Sequence, residues 1–596
     1  MSLSSPSTPS TTKNQNLPVT GDRELALHGI NLLLNNKSKA AEEIFNRHKD
    51  DCIEMRMGYC FLVFLNALMT FEEEKINLAH KTLKETENKF AHEISTFQSM
   101  KRMVLGQTNS VENNVEKRLE EQIGIADCQV CMAILIFTQQ DLTSYIKGGW
   151  ILRKAWKVYD RTYREIKSLY DQFVVHLPSS SSTIPAAKVV KSPRPKSASN
   201  SPSTSFSSSL SPETISRLLA SVSFGYGTFQ LCISLLPPSL LKIIHFLGFD
   251  SDREVAVEYM MYARKGSDIR APFSTLGLLW YHTIVRPFFS LDGHNVVAGV
   301  KAAEFLLKES QPHYGEGALF LFYKGRIDRL KGNLDEAIGT YNKALLASSQ
   351  REIQLICVHE MGWCYILQFN WNEACNAFLR LKSESRWAKS YYGYLIAVSY
   401  GVLDELAKCR NALADIPSLV RSKNNQLEAF VLKRSIRLLK ENADRQEMLL
   451  YGMELLYLWH AIPSCTDDIK ALMLYECSNI GVKKLLPLKC LVEGALHNDI
   501  GNRDLSIQCL EECIARSSDI KDDTHIPAFA TYELSIILLQ EHGTHARGKS
   551  LLIHVKDDFK GYDFENRLSV RIHAAVRGLE RSASSKTSFK TITSAN

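Results

Sequence analysis

The chain has 596 residues, of which 45% are hydrophobic and 23% are charged, and both values are ordinary for a globular protein. These proportions exclude a wholly disordered chain, and the length predicts several domains or one long repeat array. Lys and Arg (71) outnumber Asp and Glu (65) by only six, which is too few at this length to indicate nucleic-acid binding. The 14 cysteines are scattered, so we expect reduced thiols in a cytoplasmic protein.

Residues 1–20 form a polar segment without an apolar core or a basic amphipathic helix. This composition predicts a disordered tail rather than a signal or transit peptide. Two apolar runs follow later in the chain. Ala271–Val285 is shorter than the roughly 20 residues that a membrane span needs, and Phe224–Leu241 contains two prolines. We interpret both as buried core helices, with contact at a membrane surface as the alternative.

Residues 21–177 are predicted to be an N-terminal helical region with one helix-pair unit. Units of this kind, about 34 residues long, need small residues at positions 8 and 20, where the helices cross. They carry large apolar or aromatic residues at positions 4, 11 and 24. A unit that starts at Asp22 meets this pattern with Leu25, Gly29, Leu32, Ala41 and Phe45.

The segment Lys147–Arg164 combines an aromatic and a basic stripe at helical spacing. The apolar stripe comprises Leu152, Trp156, Tyr159, Tyr163, Ile166 and Tyr170. The basic stripe comprises Arg153, Lys157, Arg161 and Arg164. The separation of the two stripes favours a structural amphipathic helix. An acidic partner or anionic lipid surface and a nucleic acid remain alternatives.

Residues 178–212 contain 14 Ser, 6 Pro and no acidic residue. Such a segment cannot bury enough apolar surface to offset chain entropy, so we predict a disordered linker. Three Ser-Pro pairs mark Ser192, Ser201 and Ser211 as candidate phosphorylation sites beside basic residues. The alternative is that these pairs only reflect the composition of the linker.

Residues 213–311 fit no repeat and are predicted to be an atypical helical block, with an apolar hairpin at Phe224–Phe249. The repeat pattern returns in residues 312–580, with units that start at Ala318, Leu355 and Pro487. Weaker units are predicted at Ala388–Val420 and Thr524–Phe559, and a disordered tail at 581–596. The predicted fold is therefore all-α, a tetratricopeptide-type helical repeat solenoid with an atypical central helical block.

The concave groove of such a solenoid is the expected functional surface. In each repeat unit, certain positions of the first helix face this groove. In the units that start at Ala318 and Leu355, these positions hold Phe322, Arg326, Arg329, His359 and Trp363. Guanidinium groups among apolar side chains suit an acidic-hydrophobic peptide of a protein partner. The alternative is that both arginines are only solvated.

No catalytic, cofactor or metal site is predicted. Cys128 and Cys131 form a C-x-x-C pair, but it lies in an apolar helical run without a second pair nearby. His542 and His545 fall in a predicted turn and lack the helical spacing of a zinc protease motif. We expect core cysteines and solvated histidines.

Several segments resemble the tetratricopeptide repeat protein 39 family, which is related to fungal inclusion-body clearance proteins. The segments are Tyr145–Tyr163, Phe224–Glu254, Leu279–Gly293, Phe320–Leu330 and Gly561–Ala575. The sequence segments KGGWILRKAWK and VRPFFSLDG are most similar to the C-type member. The Ser-rich insert and both tails depart from the family.

The resemblance implies a cytoplasmic, non-enzymatic adaptor or scaffold that binds protein partners, with the C-type member linked to cilium assembly. It also implies the alternative of a lipid-droplet or organelle-surface protein in lipid homeostasis or inclusion clearance. An enzyme with an unrecognised site is the third hypothesis. The partner and the oligomeric state stay open, as does the choice between one superhelix and two lobes.

Overall fold

The structure is a computed structural model. It describes residues 21–70, 72–103, 111–137, 142–175, 210–235, 252–291, 295–421 and 425–593. Within these ranges α-helices dominate, so the predicted all-α fold is confirmed. The predicted tail at 1–20 lies outside the described residues. So does all of the linker except Leu210, Ser211 and Pro212, together with part of the apolar hairpin.

The N-terminal half consists of helices of 10 to 34 residues. They are α1 (Asp22–Leu34), α2 (Ser38–His48), α3 (Ile53–Thr70), α4 (Glu73–Met103), α5 (Val111–Phe137), α6 (Leu142–Val175), α7 (Pro212–Ser234), α8 (Arg253–Ala263), α9 (Ala271–Trp280) and α10 (Val297–Tyr314). A π-helical turn, Tyr281–Val285, and a short helix, Arg286–Phe288, continue α9.

The C-terminal half is a series of helix pairs. They are α11 (Ala318–Leu330), α12 (Leu334–Ala347), α13 (Arg351–Leu367), α14 (Trp371–Glu384), α15 (Lys389–Val402), α16 (Leu406–Leu419), α17 (Gln426–Glu441), α18 (Arg445–Leu458), α19 (Asp467–Ser478), α20 (Leu486–Ile500), α21 (Arg503–Ala515), α22 (His525–Leu539), α23 (His545–Asp558) and α24 (Glu565–Thr593). The weaker units thus form the pairs α15–α16 and α22–α23.

A glycine at the predicted crossing position lets the two helices of a unit approach closely. A Cβ atom added to Gly325 would lie 2.6 Å from the ring of Tyr341, which is fully buried. The same relation holds in three further units, with distances of 2.7, 2.7 and 2.8 Å for Gly29 and Phe45, Gly362 and Phe378, and Gly494 and Leu510. The sequence register of all four units is therefore realised in the structure.

The N-terminal unit packs directly on the helix that precedes the Ala318 unit. In the turn after α1, the Asn36 amide donates to the Glu316 carbonyl (2.9 Å) and accepts from the Ala318 backbone N–H (2.8 Å). The Tyr314 hydroxyl donates to the Asn31 side chain at 2.5 Å. The first unit and the C-terminal repeats are therefore joined by direct contacts.

The helix α3 is long and apolar enough to cross a membrane by length and composition alone. However, 61% of its apolar window is buried inside the protein, and Gly58 lies against the ring of Phe45. These contacts are those of a core helix.

Two predicted boundaries differ from the structure. The helix α10 runs through the boundary placed at 312, with Pro312 inside its last turns. The helix α24 continues to Thr593, past the start of the tail predicted at 581–596, and the disorder of that tail stays a prediction. No Pro or Gly follows Gly578, and the helix therefore has no residue that breaks it.

Replacement of Gly325 by Ala tests the close crossing. The added methyl group would collide with a packed ring, so we expect a loss of about 1–3 kcal/mol of stability, measured by chemical unfolding. Gly339 in α12 is the matched control, because a Cβ there meets nothing within 4 Å. Gly339→Ala should instead stabilise the protein by about 0.4–1 kcal/mol. Equal effects of the two changes would contradict the crossing.

Candidate functional site

The residues predicted to line an open groove are mostly buried. Phe322, Arg326 and Arg329 on α11 are 6%, 8% and 7% exposed, and Trp363 on α13 is 1% exposed. His359 is half-buried. The prediction that these side chains form a partner-accessible surface is therefore corrected, because a partner cannot reach the four buried ones in this arrangement.

The two arginines of this set are held by one carboxylate on the next unit. Glu360 Oε2 accepts from Arg326 Nη1 at 2.6 Å and from Arg329 Nη1 at 2.5 Å. Arg326 Nη2 also donates to the carbonyl of Thr283 at 2.8 Å. Thr283 belongs to the π-helical turn, so the ion pair links the central block to two repeat units.

The electrostatics of this cluster follow from its burial. Burial opposes ionisation of Glu360, but Arg326 and Arg329 outweigh it and lower the pKa of Glu360 to about 2. Burial lowers the pKa of His359 to about 4, helped by both arginines and opposed by Glu360. The carboxylate is thus charged and the imidazole neutral at neutral pH.

The chain itself covers the inner face of the repeats. The ring of Trp459, which follows α18, stacks on Trp363 at 5.8 Å and on Tyr391 at 5.3 Å. From α24, the guanidinium of Arg567 lies 5.4 Å from the same indole. These contacts occupy the place where the sequence predicted a bound peptide.

The helix α6 presents a different, exposed face. Of the predicted apolar stripe, Tyr159 and Ile166 are buried, and the other members are partly buried against the same part of the core: Leu152, Trp156, Tyr163 and Tyr170. The exposed side follows steps of three and four residues, and its members are Lys147, Trp150, Lys154, Lys157, Arg161 and Arg164. We call these six residues, together with Ile146, the α6 basic face.

Two apolar side chains at one end of the α6 basic face are more than half exposed. Trp150 is 54% and Ile146 is 55% exposed. Among the described residues, no carboxylate lies within ion-pair distance of Lys154, Lys157 or Arg161, whereas Arg164 pairs with Asp160 at 2.8 Å. The surface therefore offers free positive charge beside apolar groups. The sequence signalled the charge, but the aromatic pattern of the helix gave no sign that Trp150 points outwards.

Of the predicted phosphorylation sites, Ser192 and Ser201 lie outside the described residues. Ser211 is exposed and caps α7, where its hydroxyl accepts from the backbone N–H of Thr214 at 3.2 Å. A phosphate at this position would lie at the positive end of the helix. Modification at the three serines stays a prediction.

The described part of the chain contains no group of three His, Cys, Asp or Glu residues that could hold a metal ion. Cys128 and Cys131 are buried, and burial raises the pKa of Cys131 well above its usual range, as in an inert core thiol. One small cavity of about 80 Å³ lies between the N-terminal unit and the Ala318 unit, and its lining includes both apolar side chains, most often Leu, and polar ones.

The helix pairs with glycine crossings, stacked in series, define a helical repeat protein of the tetratricopeptide type. The sequence matches the Iml2/tetratricopeptide repeat protein 39 family over residues 27–484, which is more than half of the chain. The chain belongs to this family. Its similarity to the C-type member in particular remains a prediction.

Two solved structures are similar to nearly the whole chain. The crystal structure of yeast Tom70 is 11% identical with a TM-score of 0.28, and the match covers 94% of this chain and 96% of that one. The crystal structure of the APC/C hetero-tetramer Cut9-Hcn1 is 11% identical with a TM-score of 0.24, and covers 93% and 97%. Both TM-scores are low, so the fold is assigned here from the helix pairs of this chain.

Replacement of Glu360 by Gln should be strongly destabilising. It leaves two buried guanidinium groups without their counter-charge, which costs about 3–5 kcal/mol in comparable ion pairs. The measurement is the free energy of unfolding. Glu384→Gln is the control, because its pair with Arg380 is about 40% exposed on both sides, and exposed pairs contribute about 0–1 kcal/mol. A loss no larger than that of the control would refute the buried pair.

The free energy of unfolding should also decrease as the pH is lowered, because His359 is protonated less readily in the folded chain than in the unfolded chain. Its pKa is lowered from about 6.5 to about 4 in the folded chain, so between these values only the unfolded chain takes up the proton. The contribution is complete above the unfolded value and is lost as the pH falls towards 4. From pH 7 to pH 5 this amounts to about 2 kcal/mol. His359→Gln should flatten the pH profile by that amount, and an unchanged slope would count against it.

Proposed function

We propose that the protein is a non-enzymatic, cytoplasmic scaffold that binds acidic-hydrophobic segments of partner proteins on the α6 basic face. A helical repeat fold of the tetratricopeptide type fits a scaffold or adaptor role, since stacked units build extended binding surfaces. The exposed face of α6 is the observation that carries the assignment of the surface.

The chemistry of the α6 basic face supports this partner class. Lys154, Lys157 and Arg161 lie on successive turns, so an acidic segment that runs along the helix meets one cation per turn. Trp150 and Ile146 supply apolar contact at one end of the row, and Trp is a frequent anchor in protein interfaces. The proposed partner, an acidic-hydrophobic peptide, is thus the same as the one predicted from the sequence. The proposed binding surface is now the α6 basic face, which partners can reach, instead of the groove.

Charge reversal of the row tests the proposal. We expect Lys154→Glu, Lys157→Glu and Arg161→Glu together to weaken binding of a labelled peptide of alternating Glu and Leu residues at least about tenfold, since each 1.4 kcal/mol is a factor of ten. The measurement is fluorescence anisotropy at low salt. Binding by the wild type should also weaken as salt rises, because exposed charges are screened.

The control variant reverses three other exposed lysines, Lys301, Lys308 and Lys343. It changes the net charge of the protein by the same amount and should leave peptide binding intact. Affinity purification with quantitative mass spectrometry then compares the two variants in cells. If both variants lose the peptide equally, binding depends on net charge alone and the assignment to α6 is wrong.

A membrane surface is the second candidate for the same face. Helices with Lys and Arg beside exposed Trp bind anionic lipid headgroups, and this supports a lipid-droplet or organelle-surface protein in lipid homeostasis or inclusion clearance. Flotation with vesicles that contain phosphatidylserine separates the candidates. Wild-type protein that floats, while the charge-reversed variant does not, favours the membrane; protein that stays at the bottom at low salt excludes it.

For the pathway we propose cilium assembly, on the resemblance of Tyr145–Tyr163 and Leu279–Gly293 to the C-type member. We also propose that phosphorylation at Ser192, Ser201 and Ser211 regulates the protein. In cells depleted of the protein, the number of ciliated cells should fall, and only wild type and the control variant should restore it. Unchanged ciliation would remove this part of the proposal without affecting the binding surface.

A further inference from the structure

The cavity of about 80 Å³ between the N-terminal unit and the Ala318 unit opens to the surface. It is bordered by the end of α1 and the turn after it, by α3, by α9, by the start of α11 and by the turn between α12 and α13. Six apolar side chains of its lining are only half-buried: Leu33, Leu65, Met69, Phe273, Leu276 and Leu319. The mouth of the cavity is therefore apolar.

Hydrogen bonds hold the walls of the cavity in place. Asn36, which is part of the lining, joins the turn after α1 to the start of α11. On the opposite wall, the Gln354 side chain donates to the Ser348 carbonyl at 2.8 Å, and the Ser348 hydroxyl accepts from the Gln350 backbone N–H at 3.1 Å. The cavity is thus formed before anything fills it, which lowers the entropic cost of binding.

The volume of the cavity determines the size of the group that fits. An apolar cavity of about 150 Å³ holds a benzene molecule, which has six carbon atoms. In proportion, a cavity of about 80 Å³ holds about three carbon atoms, and the branched end of a leucine side chain has this number. A free molecule with so few atoms binds weakly, so a side chain carried by a polypeptide is the better occupant.

A leucine side chain protrudes next to this cavity. Leu346, near the end of α12, is 82% exposed, which is the highest value among the large apolar side chains that the structure describes. It precedes the lining residue Ser348 by two positions, so their Cα atoms are at most about 8 Å apart. The chain therefore carries a protruding leucine and a leucine-sized cavity side by side on one surface.

We propose that the protein forms a two-fold symmetric dimer in which Leu346 of each copy fills the cavity of the other. A two-fold interface uses the same patch of surface on both copies, so a protruding group and the cavity that receives it must lie close together on each chain. Leu346 and the cavity meet this requirement. A second copy is thus the occupant that the chain itself supplies.

Polar groups of the lining suit a polypeptide as the occupant. The side-chain amides of Asn66 and Gln350 line the cavity, and neither has a hydrogen-bond partner in the part of the chain that the structure describes. Both are available to the backbone on either side of the incoming Leu346. They would fix the direction in which the second copy approaches.

The charges around the mouth favour a second copy over a strongly charged partner. Residues of both signs lie in or next to the segments that form the rim, namely Lys37, Lys39, Glu316, Arg351 and Glu352. A mixed rim neither repels an identical surface strongly nor selects an acidic or a basic peptide. Because specific interfaces bury about 800 Å² per partner, the contact extends from the cavity over this rim.

The oligomeric state of the full chain is the first test. We expect a dimer in analytical ultracentrifugation at about 10–100 µM, the range in which moderate protein associations form. Protein that stays monomeric throughout this range overturns the proposal, and would leave the cavity to a leucine of another protein.

Replacement of Leu346 by Asp tests the protruding group. It places two charges in apolar cavities per dimer, and at a factor of ten or more for each we expect the dissociation constant to rise at least about 100-fold. Leu505→Asp on α21 is the matched control, because Leu505 is an exposed leucine (47%) away from the cavity. Both variants should keep the circular dichroism and melting temperature of the wild type, since both side chains lie on the surface. Equal dimerisation of the two variants would refute the role of Leu346.

Replacement of Ser349 by Trp tests the cavity. Ser349 is an exposed residue of the lining, so a bulky side chain there should close the mouth and prevent dimerisation without disturbing the core. A dimer that survives this change places the contact elsewhere and overturns the proposal.

A mixture of the two variants tests whether the contact is reciprocal. A mixed dimer of Leu346→Asp and Ser349→Trp keeps one of the two contacts, because Leu346 of the second variant meets an open cavity on the first. The mixture, with one variant labelled, should therefore associate more strongly than either variant alone. Association no stronger than that of the separate variants overturns the proposal. None of these residues belongs to the α6 basic face, so the proposed function is tested separately.

Discussion

The close approach of paired helices at residues without a side chain is the constraint on which the rest of the structure depends. Gly29 and Gly58 lie against the ring of Phe45 from two helices, so one aromatic ring fills the space between α1, α2 and α3. A crossing between successive units uses the same device, because a Cβ atom added to Gly401 on α15 would lie 2.5 Å from the side chain of Met448 on α18. Because tightly packed interiors do not deform continuously, these contacts fix the angle of each helix pair and hence the path of the superhelix.

That path brings the inner faces of the repeats into contact with the central block and with α24. Polar groups that enter this interior need partners, and Glu360 provides one for Arg326 and Arg329. The consequence for function is a reversal of the usual arrangement in repeat proteins: the inner surface is used for internal cohesion, and the binding surface that we propose lies on the outside of α6.

Much of the fold was predictable because helix pairs are specified locally. Position 8 glycines and the apolar spacing of each unit gave the correct register at Asp22, Ala318, Leu355 and Pro487. The groove assignment failed because closure depends on pairs distant in sequence: Arg571 and Phe288 are 283 residues apart. Arg567 and Arg571 carried a local signal that was overlooked, since they stand among apolar residues on a helix without acidic neighbours on the same face. Local periodicity cannot reveal which helix faces the chain later covers.

The middle of the chain, residues 288–318, contacts helices near both ends of the chain. The turn after α1 docks on residues 314–318, and α24 docks on Phe288. During synthesis on the ribosome, about 280 residues must therefore be added after the N-terminal unit before its docking site is synthesised. A similar number separates Phe288 from its contact on α24. Such long-range contacts slow folding and leave apolar surface exposed in the nascent chain. Production of this protein is thus expected to depend on chaperones, and a chain that stops before α24 lacks the last contacts of its centre as well as its final helix.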